Sequence, residues 1–271
     1  MDYDAVINTL TSWSQQQDNV RALLLTGSAA TGQTHPLSDR DLEVYVQDPA
    51  PLMNDDSWWD QLGEVLVVER LDAAGWFPSR VVYYAGGKLD LTVIPIEQIT
   101  SIPRDRSFRV LVTKDARTQA LSLTSSSSPL PSADDFEQAL HWGYAAALMC
   151  AKAAVRDELW MAKVRDENLK AQLLLLIEWD HRSRYGTEVD VRYLGTRMRQ
   201  WMDQDVQAAL DDCWGRFDAV DTAAALRASV ALFARLATRL ADQLAFTAFD
   251  HGRMRSEIED ILAMRSELAD S

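Results

Sequence analysis

Two carboxylates at the mouth of a strand constrain this chain more than any other feature. The segment LLLTGSAATGQTHPLSDRDLEVYV, residues 23–46, runs an apolar strand into Gly27-Ser28 and then, eleven residues past Ser28, into Asp39 and Asp41. Strand side chains alternate between faces, so Asp39 and Asp41 share one face and Arg40 points to the other. Like charges so placed repel each other, and a divalent cation is the simplest neutraliser. Carboxylate oxygens that leave coordination positions open suit an Mg2+ that also carries nucleotide phosphates. Gly27 lets the backbone approach a phosphate closely, and Ser28 offers it a hydroxyl and an N–H. The segment therefore reads as a metal-dependent nucleotide site on a strand–loop–strand, with Asp39 and Asp41 as the Mg2+ pair and Gly27 and Ser28 against the phosphates.

The neighbours of that pair read more plainly. Arg40 is assigned to structural pairing, His35 to a solvated loop, and Thr31, Gly32 and Ser38 to shaping that loop. Glu43 shares the face of the two aspartates and reads as an ordinary exposed strand residue. Further on, Asp90 alternates with Leu89 and Leu91, so it points away from the side those leucines bury. If its strand neighbours the first pair, three carboxylates converge.

Composition limits the classes of function. With 271 residues, 47% of them hydrophobic, the chain supports a packed core and two modest domains or one large one. The balance of 27 basic against 41 acidic residues, a net charge of −14, opposes general affinity for nucleic-acid backbones. It suits a cationic small substrate, as it also suits simple solubility. The start MDYDAVINTL is acidic, so a secretory leader is not expected, and the longest apolar run, Leu173 to Ile177, is too short for a membrane span. Cys150 and Cys213 lie far apart and read as buried free thiols of a cytoplasmic protein. The four histidines form no zinc pattern.

Hydrophobic periodicity divides the chain in two. An amphipathic helix over 2–19 precedes strands at 23–25, 42–46, 65–69, 80–84, 88–94 and 108–112, with a short helix at 56–62 and a hairpin turn at Gly86-Gly87. The polar, proline-bearing stretch Thr124 to Ser132 is the linker. Beyond it proline and glycine nearly vanish, and five or six helices are expected: one capped by Ser132 or Asp134, then 157–185 stopped by Gly186, 190–202, 204–214, 222–245 and 252–268. The expectation is an α+β protein with a mixed-sheet domain over 1–131, an α-helical domain over 132–271, and a ligand cleft between them.

Gly27-Ser28 followed by Asp39-Arg40-Asp41 resembles the GS…DxD motif of the DNA polymerase beta-like nucleotidyltransferase superfamily. Lys88-Leu89-Asp90-Leu91-Thr92-Val93-Ile94-Pro95 resembles the third-carboxylate strand of the aminoglycoside 6-adenylyltransferases, the streptomycin-modifying branch. The resemblance implies a nucleotidyltransferase sheet followed by a substrate-binding helical bundle, acting as monomer or homodimer with ATP as co-substrate and Mg2+ as cofactor. In that family the third carboxylate is a metal ligand or a general base. Asp90 is taken here as the base, drawing the proton from the acceptor hydroxyl as its oxygen attacks the α-phosphorus. The acceptor so implied is a streptomycin-like aminoglycoside. A protein or metabolite acceptor, and a non-catalytic nucleotide-binding relative, are the other readings.

The helical half gives no tight motif. Lys163, Lys170, Arg192 and Arg197 are candidates for the β- and γ-phosphates, with Lys170 and Arg192 placed on the nucleotide. Glu178, Asp180 and Glu188 flank Trp179 and offer an acidic, aromatic lining for a guanidinium-bearing acceptor. Packing in the core is the plainer reading for Trp179 and for Trp160.

Overall fold

The computed structural model describes residues 1–32, 35, 37–72, 77–104, 107–124, 129–189, 191 and 193–269. The chain folds as two compact units, Met1–Ser126 and Ser127–Ser271.

The first unit opens with α1 (Tyr3–Gln16), whose N-cap Asp2 accepts from the backbone N–H groups of Asp4 and Ala5. Then come β1 (Val20–Thr26), β2 (Arg40–Val46), the short helices α2 (Ala50–Met53) and α3 (Ser57–Asp60), β3 (Val65–Leu71), β4 (Ser79–Tyr84), β5 (Gly87–Pro95) and β6 (Phe108–Thr113). These strands form one sheet in the order β3-β4-β5-β2-β1-β6. Every pairing is antiparallel except β2 with β5, which run parallel. Gly86, at φ +82°, makes the tight turn between β4 and β5.

Alternation explains the two faces. Leu42, Val44, Leu89, Leu91, Leu23 and Leu25 point one way and join Val6, Ile7 and Leu10 of α1 and the indoles of Trp58 and Trp59 in the larger core. At about 1.5–3 kcal/mol for each fully buried aliphatic side chain, this face supplies most of the unit's cohesion. The opposite face carries a smaller apolar cluster around Ala22, Leu24, Tyr45, Ile94 and Ile99. Asp41, Glu43 and Asp90 belong to this second face, because they alternate with buried Leu42, Val44, Leu89 and Leu91.

The second unit is helical: α4 (Ala133–Val155), α5 (Leu159–Tyr185), α6 (Met198–Trp201), α7 (Gln204–Asp211), α8 (Ala219–Leu244) and α9 (His251–Ala269). Ser132 and Asp135 form a reciprocal capping box that starts α4. Gly186, at φ +105°, ends α5. The core runs between α4, α5 and α8 through Leu140, Ala147, Leu169, Leu173, Phe233 and Leu236. Trp179 is buried there, but Trp160 is exposed, contrary to the expectation of core packing. It lies one residue into α5 on the solvent side, a place that sequence periodicity leaves open because α5 has apolar residues on all sides. The helix expected over 190–202 is also corrected. Leu194, Gly195 and Arg197 have left-handed backbone, which no α-helix tolerates, so among the described residues of this stretch the α-helix is confined to Met198–Trp201, after a 3-10 turn at Tyr193–Gly195. Among the described residues no helix is long and apolar enough to cross a membrane.

Two expectations follow for this bundle. A Gly→Ala change inside a helix ordinarily gains about 1 kcal/mol. At Gly143 the new Cβ would stand 2.4 Å from Cζ of fully buried Phe233. Overpacking of about 1–3 kcal/mol outweighs the propensity gain. Gly143→Ala should therefore unfold at lower urea, and a higher midpoint would refute the contact. Separately, the Tyr144 hydroxyl and His251 Nδ1 lie 2.6 Å apart, and burial first, then the Arg255 charge, push His251 below the usual imidazole value while Asp250 opposes them. The unfolded chain then takes up the proton first, so this contribution is present above the usual histidine value of about 6.5 and is lost as the pH falls below it. Melting curves of wild type and His251→Gln should converge on acidification through that range, and a constant difference between them would exclude the linkage.

Candidate active site

The site begins where β1 ends. Gly27 has φ +70°, and an added Cβ there would meet Asp41 Oδ2 at 2.6 Å. Two independent constraints thus require glycine: left-handed backbone and the carboxylate lying against its Cα. From Gly27 the chain makes a 3-10 turn through Thr31, in which the Thr31 hydroxyl donates to the Ser28 carbonyl at 2.9 Å. Gly32, again left-handed, closes the turn. The Gly27 N–H donates to the Ser107 carbonyl at 3.0 Å and ties this loop to the entry of β6.

The parallel pairing brings the carboxylates together. Asp41 lies directly opposite Asp90, and Arg40 opposite Leu89. Neighbouring strands lie roughly 4.8 Å apart, so the two carboxylates are held side by side on one face. Asp39 stands just outside β2, and its Oδ2 accepts from Lys88 Nζ at 2.9 Å. The same ammonium is 3.2 Å from Asp90 Oδ1. That oxygen is buried and outside hydrogen-bond geometry with any partner. Burial first, and the Asp39 charge with it, raise the Asp90 carboxyl above the usual carboxylate range, against the pull of Lys88 and of a hydrogen bond with Asp41. Burial works against the Lys88 charge, but the hydrogen bond to Asp39 and the charges of Asp90 and Asp39 outweigh it, so the ammonium is held firmly protonated. Asp39 is 40% exposed, so solvent screens its pair with Lys88, and pairs of that kind contribute only about 0–1 kcal/mol to folding.

These residues fit a divalent cation in kind. Their donors are hard carboxylate oxygens, Gly27 leaves the space beside Asp41 Oδ2 open, and Asp90 Oδ1 is buried without a hydrogen bond. As the side chains lie, no group of three or more His, Cys, Asp or Glu among the described residues encloses a metal ion. The Lys88 ammonium stands between Asp39 and Asp90 instead.

Glu43 is a correction. It is not an ordinary exposed strand residue: its Oε2 accepts from Tyr45 Oη at 2.7 Å and from Arg104 at 2.9 Å. Arg104, almost fully buried, also donates to Tyr45 Oη at 2.6 Å. Burial first, and then Glu43, raise the Tyr45 phenol far above its usual value, so it stays protonated. Arg104 approaches from the loop after β5, a contact that no local pattern announces. Arg40 behaves as expected, with its guanidinium 4.0 Å over the Tyr3 ring. His35 is exposed, and its Nδ1 accepts from the Leu37 N–H. Lys88, which the strand motif contained but to which no role was given, is the residue that sequence reading missed. It precedes Asp90 by two positions, so strand period alone places it on the same face.

In the helical unit the picture is different. Lys170 Nζ donates to Asp166 at 2.6 Å and to Ser229 at 2.8 Å, so its charge is already satisfied among α5 and α8. Lys163 Nζ donates to the Gly215 carbonyl. Arg192 lies outside the described residues, and Arg197 is exposed. Asp180 is 1% exposed and is clasped by Arg184 at 2.8 Å and Arg239 at 2.5 Å, while Arg184 also reaches Asp203. Asp180 thus serves as the centre of a bundle network, and Glu178, half-buried, has its carboxyl raised by burial against the Arg182 charge. Glu188 is exposed.

Gly27→Ala should therefore cost about 1–3 kcal/mol from backbone strain and contact with Asp41. Urea denaturation reads the loss directly, and unchanged stability would mean that Asp41 moves aside freely.

Comparison with known proteins gives one consistent answer. The streptomycin adenylyltransferase family model matches residues 2–257. An aminoglycoside 6-adenylyltransferase of Staphylococcus aureus is 25% identical over 190 residues, 64% of this chain and 67% of that protein. Enzymes of the same name from Campylobacter jejuni and Bacillus subtilis are 27% and 23% identical, over 42% and 62% of this chain and 42% and 65% of theirs. A crystal structure of an aminoglycoside 6-adenyltransferase from Bacillus subtilis overlays with a TM-score of 0.48 at 18% identity, covering 94% of this chain and 97% of that one. The match of one family model to nearly the whole sequence shows that this chain belongs to the streptomycin adenylyltransferase family.

Proposed function

We propose that this protein transfers AMP from ATP to a hydroxyl of an aminoglycoside and releases pyrophosphate. The observation that carries the reading is the in-register placement of Asp41 beside Asp90, with Asp39 adjoining and Gly27 packed against Asp41. Asp39 and Asp41 would hold Mg2+, which when bound would offset triphosphate charge and favour displacement at the α-phosphorus. Gly27 and Ser28 take the phosphates, since the 3-10 turn after β1 presents backbone beside the carboxylate face. Asp90 accepts the proton of the acceptor hydroxyl as that oxygen bonds to the α-phosphorus and the bond to the pyrophosphate oxygen breaks. The bond made and the bond broken both involve the α-phosphorus, and the proton ends on Asp90.

The acceptor class rests on the family membership and on the charge of −14, which favours the approach of a polycation. Streptomycin is the acceptor we infer. Lys170 has no part in the proposal, because using it would break its partly buried pair with Asp166.

Incubation with ATP, Mg2+ and a panel of aminoglycosides should release pyrophosphate with streptomycin present. No stimulation by any aminoglycoside would leave a metabolite or protein acceptor in its place. Asp39→Asn and Asp41→Asn should each abolish transfer and leave the circular dichroism spectrum intact. Asp90→Ala should lower kcat by about 100-fold or more, as loss of a proton acceptor does, and leave ATP affinity nearly unchanged. Collapse of ATP binding in calorimetry of Asp90→Ala would make Asp90 a metal ligand instead.

A further inference from the structure

The inference concerns Lys88 and rests on the reading of Asp39, Asp41 and Asp90 as the cation-binding face. Lys88 enters β5 directly after the Gly86-Gly87 turn, two positions before Asp90 and on the same face. Its ammonium touches Asp39 Oδ2 at 2.9 Å and Asp90 Oδ1 at 3.2 Å. It thus spans one carboxylate outside β2 and one within β5, and it stands where a divalent cation drawn to both would sit. The three carboxylates and one ammonium leave a formal charge of about −2, the complement of a divalent ion. The stem of lysine is flexible, with four rotatable carbons. A second resting place also lies within reach: the Tyr83 ring, directly across from Lys88 in the β4–β5 pairing, has its centroid 5.6 Å from Nζ. An ammonium released from the carboxylates can settle over that ring face without leaving the sheet.

We propose that Lys88 is the resident counter-ion of the metal-free site: it holds Asp39 and Asp90 together, and an arriving divalent cation displaces it. Lys88 is in this sense a positioning residue. It keeps the carboxylates gathered on one face, and it competes with the metal for the same oxygens. The competition sets metal affinity below what the bare carboxylates would give, so the ion is retained when nucleotide phosphates add their own oxygens.

The test uses the full chain without nucleotide and Mn2+ as the probe, followed by the electron paramagnetic resonance of free Mn2+. Lys88→Gln removes the competing charge and should bind Mn2+ more tightly, by about tenfold or more, while Lys88→Arg, which keeps the charge, should bind no more tightly than wild type. In EDTA, Lys88→Gln should melt below wild type, and Mn2+ should restore most of the difference. A melting curve on each variant confirms that it is folded before titration. Equal or weaker Mn2+ binding by Lys88→Gln overturns the displacement while leaving the metal site itself intact. Failure of all three proteins to bind Mn2+ removes the metal reading of Asp39 and Asp41, and the proposal with it.

Discussion

The parallel pairing of β2 with β5 is the interaction on which the rest of the site depends. Among the described residues it is the one parallel ladder in a sheet that is otherwise antiparallel, and its register sets Asp41 against Asp90. Shifting β5 by one residue would turn Asp90 into the larger core and bring Leu89 or Leu91 to the polar face. Burial of those two leucines, both fully shielded, therefore fixes the register that gathers the charges. The apolar face pins the acidic face, and the repulsion between the aspartates is opposed by hydrophobic burial on the other side of the same strands.

Around that ladder the supporting groups divide by chemistry. Gly27 supplies absence: no side chain other than hydrogen fits between the turn and Asp41 Oδ2. Lys88 supplies charge: its pair with solvent-open Asp39 adds little by itself, and its second contact, with Asp90, offsets the repulsion of the gathered carboxylates. Arg104, Glu43 and Tyr45 form a polar triangle next along the face, in which Glu43 accepts from both partners and Arg104 donates to both. The triangle lies next to Asp41 along β2, so that a hydrogen-bonded polar network, not open sheet, follows the acidic strip.

Much of this was legible in the sequence, because strand and helix periods are local. Gly27-Ser28, the Asp39–Asp41 spacing and the alternation around Asp90 each follow from side-chain direction along a single strand. The hairpin at Gly86-Gly87, the cap at Ser132 and the stop at Gly186 follow from backbone freedom and terminal N–H groups in the same way. What escaped depends on partners distant in sequence. Glu43 looked exposed because Arg104, which buries it, arrives 61 residues later. Lys170 looked like a free cation until Ser229, 59 residues away, and Asp166 enclosed it. Asp180 looked like a lining acid until Arg239 from another helix clasped it. The segment at 193–201 failed for a local reason: Leu194 and Arg197 adopt left-handed backbone that their residue types do not announce.

The crossover between β2 and β5 has a kinetic meaning as well. Parallel strands cannot be joined by a tight hairpin, and here the connection carries two short helices and the β3–β4 pair. Asp41 and Asp90 thus meet through a contact of long sequence separation, whose loop-closure entropy must be met before any pairing energy returns. The acidic face cannot exist in a fragment that lacks β5, in a nascent chain still short of β5, or in a state in which only the hairpins have formed. Its assembly reports the pairing of β5 with β2, and a chain stalled before that point carries Asp90 apart from Asp39 and Asp41.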